Sequence, residues 1–139
     1  MARGEFPTSA IFKYMRPYCK QHPIVKSLLK TFLVPFIKLK QPPFTEGYNL
    51  ETAAMVKQAV SLPVITVGGM RSRDFMEAAV ESGKTDFVSM ARPLIREPDL
   101  PNKFKAGLSK AALCNNCNRC VVAVDTRPIR CYNRRPSGH

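Results

Sequence analysis

PVITVGGMRSRDFMEAAVESGKTDFVSMARPLIREPDLP, residues Pro63 to Pro101, is the stretch whose reading decides the fold. Val64 to Val67 is a short β-branched run closed by Gly68-Gly69, the pattern of a strand buried on both faces. Ser72 stands where a helix N-cap belongs. Phe75, Met76, Ala79 and Val80 then share one helical face, and Gly83 supplies a C-terminal stop. A second apolar run, Phe87 to Ala91, follows at once and ends at Arg92-Pro93. Two strands joined by a helix of this length pair in parallel through a right-handed crossover. The stretch therefore spells one βαβ unit.

Chemistry is expected at the C-terminal ends of the two strands. Gly68-Gly69 lets backbone N–H groups approach a ligand with no Cβ in the way. Ala91-Arg92 adds a second small residue and a guanidinium whose fork matches phosphate oxygens. In a (β/α)8 barrel the loops after strands seven and eight commonly form such a phosphate site. On spacing alone the same residues also suit a tight turn and a surface charge.

Working outward, Glu46-Gly47-Tyr48-Asn49 turns the chain, and Asn49 is placed to cap a helix running to about Val60. Leu50, Ala53, Val56 and Val60 are expected to face inward. Beyond the second strand, Glu97-Pro98-Asp99 opens a helical stretch ending near Gly107, with Pro98 and Pro101 early, where donors are not needed. Upstream, Ile24, Val25, Leu28, Leu29, Phe32, Leu33, Phe36 and Ile37 recur at helical spacing. Pro23 fits the start of that helix, and Pro35 is expected to kink or end it. The stripe suits docking on a barrel wall or a partner. The alternative is a basic helix lying on a membrane surface. Lys26, Lys30 and Lys38 leave no run of ~20 apolar residues for a transmembrane span.

Lys plus Arg number 22 against 10 Asp plus Glu, a formal charge of +12 that favours phosphorylated or otherwise anionic ligands. The charges are scattered and read mostly as a solvated surface. Met1 to Gly4 carry no apolar h-region, so no signal peptide is expected there and a cytoplasmic setting is. The 139 residues suffice for one small domain, whereas a (β/α)8 barrel takes about 250. A lone parallel unit would leave strand edges open, so self-association or a missing barrel half is expected.

Cys114-x-x-Cys117-x-x-Cys120, with Cys131 after ten intervening residues, puts four sulfurs in one short segment. Thiolates at that spacing suit a [4Fe–4S] cluster or a structural zinc, and a metal-free thiol cluster is the third reading. Cys19 is distant and is given no role. Read as a binding module, the knuckle with Arg119, Arg127, Arg130, Arg134 and Arg135 could instead contact nucleic acid.

PVITVGGMRS, DFVSMARPLIREPDLPNKF, EGYNLETA upstream, and LCNNCNRC with RCYN downstream together resemble the Old Yellow Enzyme-like NADH:flavin oxidoreductase / NADH oxidase family. The resemblance runs from about Thr45 to Asn133 and implies an α/β fold, a partial TIM (β/α)8 barrel made of its C-terminal β/α units. Three parts follow: a basic amphipathic segment at 1–44, the barrel units at 45–108, and a Cys-rich tail at 109–139. By position it puts Gly68, Gly69, Ala91 and Arg92 at the phosphate of FMN. The family often has glycine where Ala91 stands, and a methyl is tolerable if only the backbone N–H contributes. It implies NAD(P)H as co-substrate and a small molecule with an activated alkene or similar acceptor, with no nucleic acid or membrane partner. Relatives with an added C-terminal redox region, 2,4-dienoyl-CoA reductase among them, carry a four-cysteine [4Fe–4S] motif where Cys114, Cys117, Cys120 and Cys131 stand. The catalytic groups of the family come from earlier strands. No catalytic residue is therefore assigned, and His22, His139 and the four tyrosines carry no matching motif.

Overall fold

The computed structural model describes residues 7–40 and 42–133. The chain opens with α1 (Thr8–Tyr14) and α2 (Arg16–Cys19), followed by α3 (Pro23–Leu28), a π-helical turn (Leu29–Leu33) and α4 (Val34–Lys40). Next come α5 (Leu50–Ala59), β1 (Ile65–Val67), α6 (Arg73–Glu81), β2 (Phe87–Ser89), α7 (Arg92–Arg96) and α8 (Leu100–Lys105). A short α9 (Arg119–Ala123) lies in the tail. These elements fall into two compact units. Phe44–Cys114 makes one, and the described residues on either side of it make the other.

In the Phe44–Cys114 unit, β1 and β2 pair in parallel with Ile65 opposite Phe87, Thr66 opposite Val88 and Val67 opposite Ser89. The βαβ unit read from the sequence is present, with both strands shorter than the apolar runs that announce them. Two strands alone cannot extend the ladder, so the flanking residues leave β geometry. Met76 and Ala79 are buried on α6, and Met70, Leu100, Phe104 and Ala112 join Met76 in the core. Val80 is 40% exposed, so the buried face of α6 is narrower than its apolar stripe. Gly83 ends the helix at φ +70°.

The other sheet face is open. Ile65, Val67 and Phe87, on one side by register, are each more than half exposed. Val56 and Val60, expected inside, are 46% and 42% exposed, because nothing among the described residues packs on that side of α5. The single helix expected between Glu97 and Gly107 is two. Pro93 sits in the first turn of α7, Pro101 opens α8, and the chain turns between them at Glu97 to Asp99. Buried Glu97 fastens that turn by accepting from the Leu113 N–H at 2.7 Å.

In the other unit, Pro35 does not end the helix. α3, the π-helical turn and α4 run on without a break, and the widened turn before Pro35 absorbs its missing donor. Val34 is buried, yet Ile24, Leu28, Phe32, Phe36 and Leu39 are more than half exposed, so most of the apolar stripe stays open. His22 occupies the N-cap of α3, where Nδ1 accepts from the Ile24 N–H at 3.4 Å. Among the described residues no helix is long and apolar enough to cross a membrane. Met1 to Gly4, Arg134, Arg135 and His139 lie outside the described residues.

Candidate functional site

The site is built at the C-terminal edge of the two strands. Because they are parallel, the turn after β1 and the turn after β2 leave the sheet on the same edge. The pairing ends at Val67 and Ser89, shortly before Gly68 and Ala91 respectively. Gly68-Gly69 and Ala91-Arg92, 23 positions apart in the sequence, both follow strand ends on that edge.

Gly68 and Gly69 adopt φ of +133° and +75°, which L side chains rarely take. Their surroundings enforce the choice. A Cβ at Gly68 would come within 2.7 Å of the Asn49 amide nitrogen and 2.9 Å of the Tyr48 ring. At Gly69 it would come within 2.8 Å of the Thr45 carbonyl oxygen and 2.9 Å of the Gly47 nitrogen. The glycine pair is therefore the place where the 45–49 segment passes directly beneath the turn.

That segment also holds the turn from its far side. The Glu46 carboxylate accepts from the Arg71 N–H at 2.9 Å, the Ser72 N–H at 2.6 Å and the Ser72 hydroxyl at 2.6 Å. Ser72 does stand at the N-cap of α6, but its side chain is spent on Glu46 and makes no cap bond. Asn49 likewise begins α5 without capping it and instead donates to the Val67 carbonyl at 2.7 Å. Sequence reasoning took Glu46 to Asn49 as a simple turn. The signal of its larger role was the spacing of a carboxylate, an aromatic ring and an amide around one glycine.

On the second strand, Ala91 occupies the N-cap of α7 and Arg92 its first position, so both lie where the chain leaves the sheet. Ala91 is exposed, with φ −109° and ψ −66°. Arg92 is half-buried. At the opposite edge, Asp86 accepts from Lys57 Nζ at 2.6 Å and the Val64 N–H at 2.9 Å, fixing the start of β2 against β1. The Lys57 bond, seconded by the backbone N–H, holds the Asp86 carboxyl below the usual aspartate range.

The cysteines are divided between the two units. Cys114 is buried in the Phe44–Cys114 unit, while Cys117, Cys120 and Cys131 belong to the other. Asn116 and Asn118 take left-handed backbone, φ 56° each, and both are buried. Cys120 then lies in the first turn of α9 and Cys131 in irregular chain. All five cysteines are free, and no three His, Cys, Asp or Glu among the described residues come together as a metal site.

A parallel βαβ unit, with a glycine turn and an arginine turn leaving one edge of the sheet, is an arrangement of the α/β class. The chain belongs to the NADH:flavin oxidoreductase / NADH oxidase family, whose model matches residues 13–111. It is 42% identical over 92 residues to a 4,4'-dithiodibutanoate disulfide reductase of Rhodococcus erythropolis, covering 66% of this chain and 22% of the relative. It is 38% identical over 76 residues to an NADH oxidase of Thermoanaerobacter brockii, 54% of this chain and 12% of that protein. A cinnamate reductase of Clostridium sporogenes is 34% identical over 73 residues, covering 52% and 11%. The chain thus spans a quarter or less of the length of these relatives. No solved structure matches it. The family resemblance read from the sequence is borne out. The match also takes in residues 13 to 44, which the quoted motifs did not reach.

Proposed function

We propose that this chain supplies the last β/α units of a (β/α)8 barrel in an FMN-dependent NAD(P)H oxidoreductase, and with them the cofactor-phosphate site. The observation that supports this is the parallel pairing of β1 and β2, after which both turns leave the sheet on one edge. Membership of the family supports FMN and NADH as its reagents. The open face of Ile65, Val67 and Phe87 suits the inside of a barrel wall that further strands would complete.

The residues present fit a phosphate. Gly68 and Gly69 hold the backbone in a conformation that places successive N–H groups close to a ligand, with the 45–49 segment fixing it from below. Arg92 brings a planar fork suited to two phosphate oxygens. Bound there, FMN would supply hydride transfer between reduced nicotinamide and an acceptor. The work of this chain is to bind and orient the phosphate end. An activated alkene or similar small molecule is the acceptor class, in line with the cinnamate reductase among the relatives.

The test compares FMN with riboflavin, which lacks the phosphate, in fluorescence-quenching titrations of the chain and its Arg92→Ala variant. A charge-assisted contact is worth about 1.5–3 kcal/mol, so FMN should weaken roughly ten- to a hundredfold. Riboflavin should be unaffected. Equal weakening of both would assign Arg92 to the fold and remove it from the site.

A further inference from the structure

Away from the strand ends, the unit containing α1 and α9 gathers cations on two aromatic rings. Tyr14, the last residue of α1, and Tyr132 have ring centroids 5.7 Å apart, inclined at 40°. Both are fixed through the same tail segment. The Thr126 hydroxyl donates to the Tyr14 carbonyl at 2.8 Å, and the Tyr132 hydroxyl donates to the Pro128 carbonyl at 2.8 Å. Three cations rest on the rings: Lys13 at 5.3 Å and Arg127 at 5.4 Å from the Tyr14 centroid, Arg130 at 5.0 Å from that of Tyr132.

The ring faces attract these charges and limit their motion. A guanidinium laid against a ring still presents its N–H fork outward, ready for a bidentate anion. The local charge is strongly one-sided. Asp125 is the one carboxylate between Pro7 and Lys40 or between Asn115 and Asn133. No ion pair among the described residues engages Lys13, Arg127 or Arg130. The cluster therefore combines order, positive charge and unspent donors, and the flavin reading makes no use of it.

We infer that Lys13, Arg127 and Arg130, set on Tyr14 and Tyr132, form a binding site for a pyrophosphate group, as carried by a nucleoside diphosphate or a dinucleotide. Three cations on one ring pair outnumber what a single phosphate neutralises, which selects for linked phosphates. Arg16 lies close by, its Nε donating to the Asp125 carbonyl at 3.2 Å, and the two-ring seat of the three cations suits a small ligand, with RNA as the competing outcome of the test. Recognition is through the charged phosphate oxygens and is weakened by salt.

The probes are inorganic pyrophosphate, orthophosphate and a single-stranded RNA of about twelve nucleotides, titrated calorimetrically into the full chain at low salt. The site predicts a saturable pyrophosphate bound at least tenfold more tightly than orthophosphate, and separate from any weaker binding at the Arg92 turn. Arg127→Gln combined with Arg130→Gln should weaken it at least tenfold. Lys84→Gln, an equal change for each charge removed, should leave this tight binding unchanged, and Arg92→Ala should affect only weaker binding at the strand-end turn. The paired Arg127→Lys and Arg130→Lys variant keeps the charge and removes the fork, and should fall between. It also serves if far-UV circular dichroism shows that the glutamine pair has lost its helices. Absence of saturable binding, an equal loss in Lys84→Gln, or loss confined to Arg92→Ala would each overturn the inference. RNA binding more than tenfold tighter than pyrophosphate would do so as well.

Discussion

Replacing Gly69 with alanine tests the turn on which the phosphate site depends. The position has φ +75°, and left-handed backbone costs a residue with a Cβ roughly 1–2 kcal/mol. The added methyl also has no room. It would meet the Thr45 carbonyl oxygen at 2.8 Å and the Gly47 nitrogen at 2.9 Å, both main-chain atoms that cannot swing aside. Overpacking of this kind typically costs about 1–3 kcal/mol more, so the combined loss should be roughly 2–5 kcal/mol. Gly83→Ala is the control. It has φ +70° but nothing within 4 Å of its Cβ, so only the backbone cost applies. Urea unfolding followed by far-UV circular dichroism compares the two. Gly69→Ala should lower the midpoint clearly further than Gly83→Ala. Equal losses would mean that the 45–49 segment does not lie beneath the turn, and the account of the site would fail with it.

Two further outcomes are expected. The Asp86 carboxyl is held below its ordinary value, first by the Lys57 bond and then by the Val64 N–H. Its stabilising contribution is therefore complete above the ordinary aspartate range and is lost as pH falls through the lowered value. Asp86→Asn should flatten the acid limb of a stability–pH profile, and an unchanged limb would discount the pair. The thiols offer a second check. Cys19, Cys120 and Cys131 are partly exposed and should react quickly with a disulfide reagent, whereas buried Cys114 and Cys117 should react slowly. Joint protection of Cys114, Cys117, Cys120 and Cys131, with iron and sulfide in the same preparation, would show that the tail gathers into a cluster.

The βαβ unit was legible because its signals are local. β-branched runs, a Gly-Gly stop and an apolar helical face each act within a few residues, and parallel pairing follows from the crossover length. The support beneath the turn was not legible in the same way. Glu46 and Asn49 look like turn and cap residues, and only the fold shows them bonded to Arg71, Ser72 and Val67. Side-chain bonds across some twenty positions leave no periodicity to read. Val56, Val60 and the α3–α4 stripe show the opposite failure. Their apolar character announces burial, but a pattern states that a face wants covering and not what covers it. Of the two outcomes expected at Pro35 the helix does not end, and the π-helical turn that precedes it has no sequence signature of its own. For the cysteines, spacing alone could not say where the backbone turns. Left-handed Asn116 and Asn118 now fix that path.

The central claim is that the turns after β1 and β2 form a single phosphate site. Amide chemical shifts of the isotope-labelled chain, titrated with FMN and separately with riboflavin, test it most directly, since they report contact even at millimolar affinity. The account predicts that the amides of Gly68, Gly69, Ala91 and Arg92 move together with FMN, along one saturation curve, and stay in place with riboflavin. Shifts of equal size with both ligands, or FMN shifts that leave one of the two turns untouched, would contradict it.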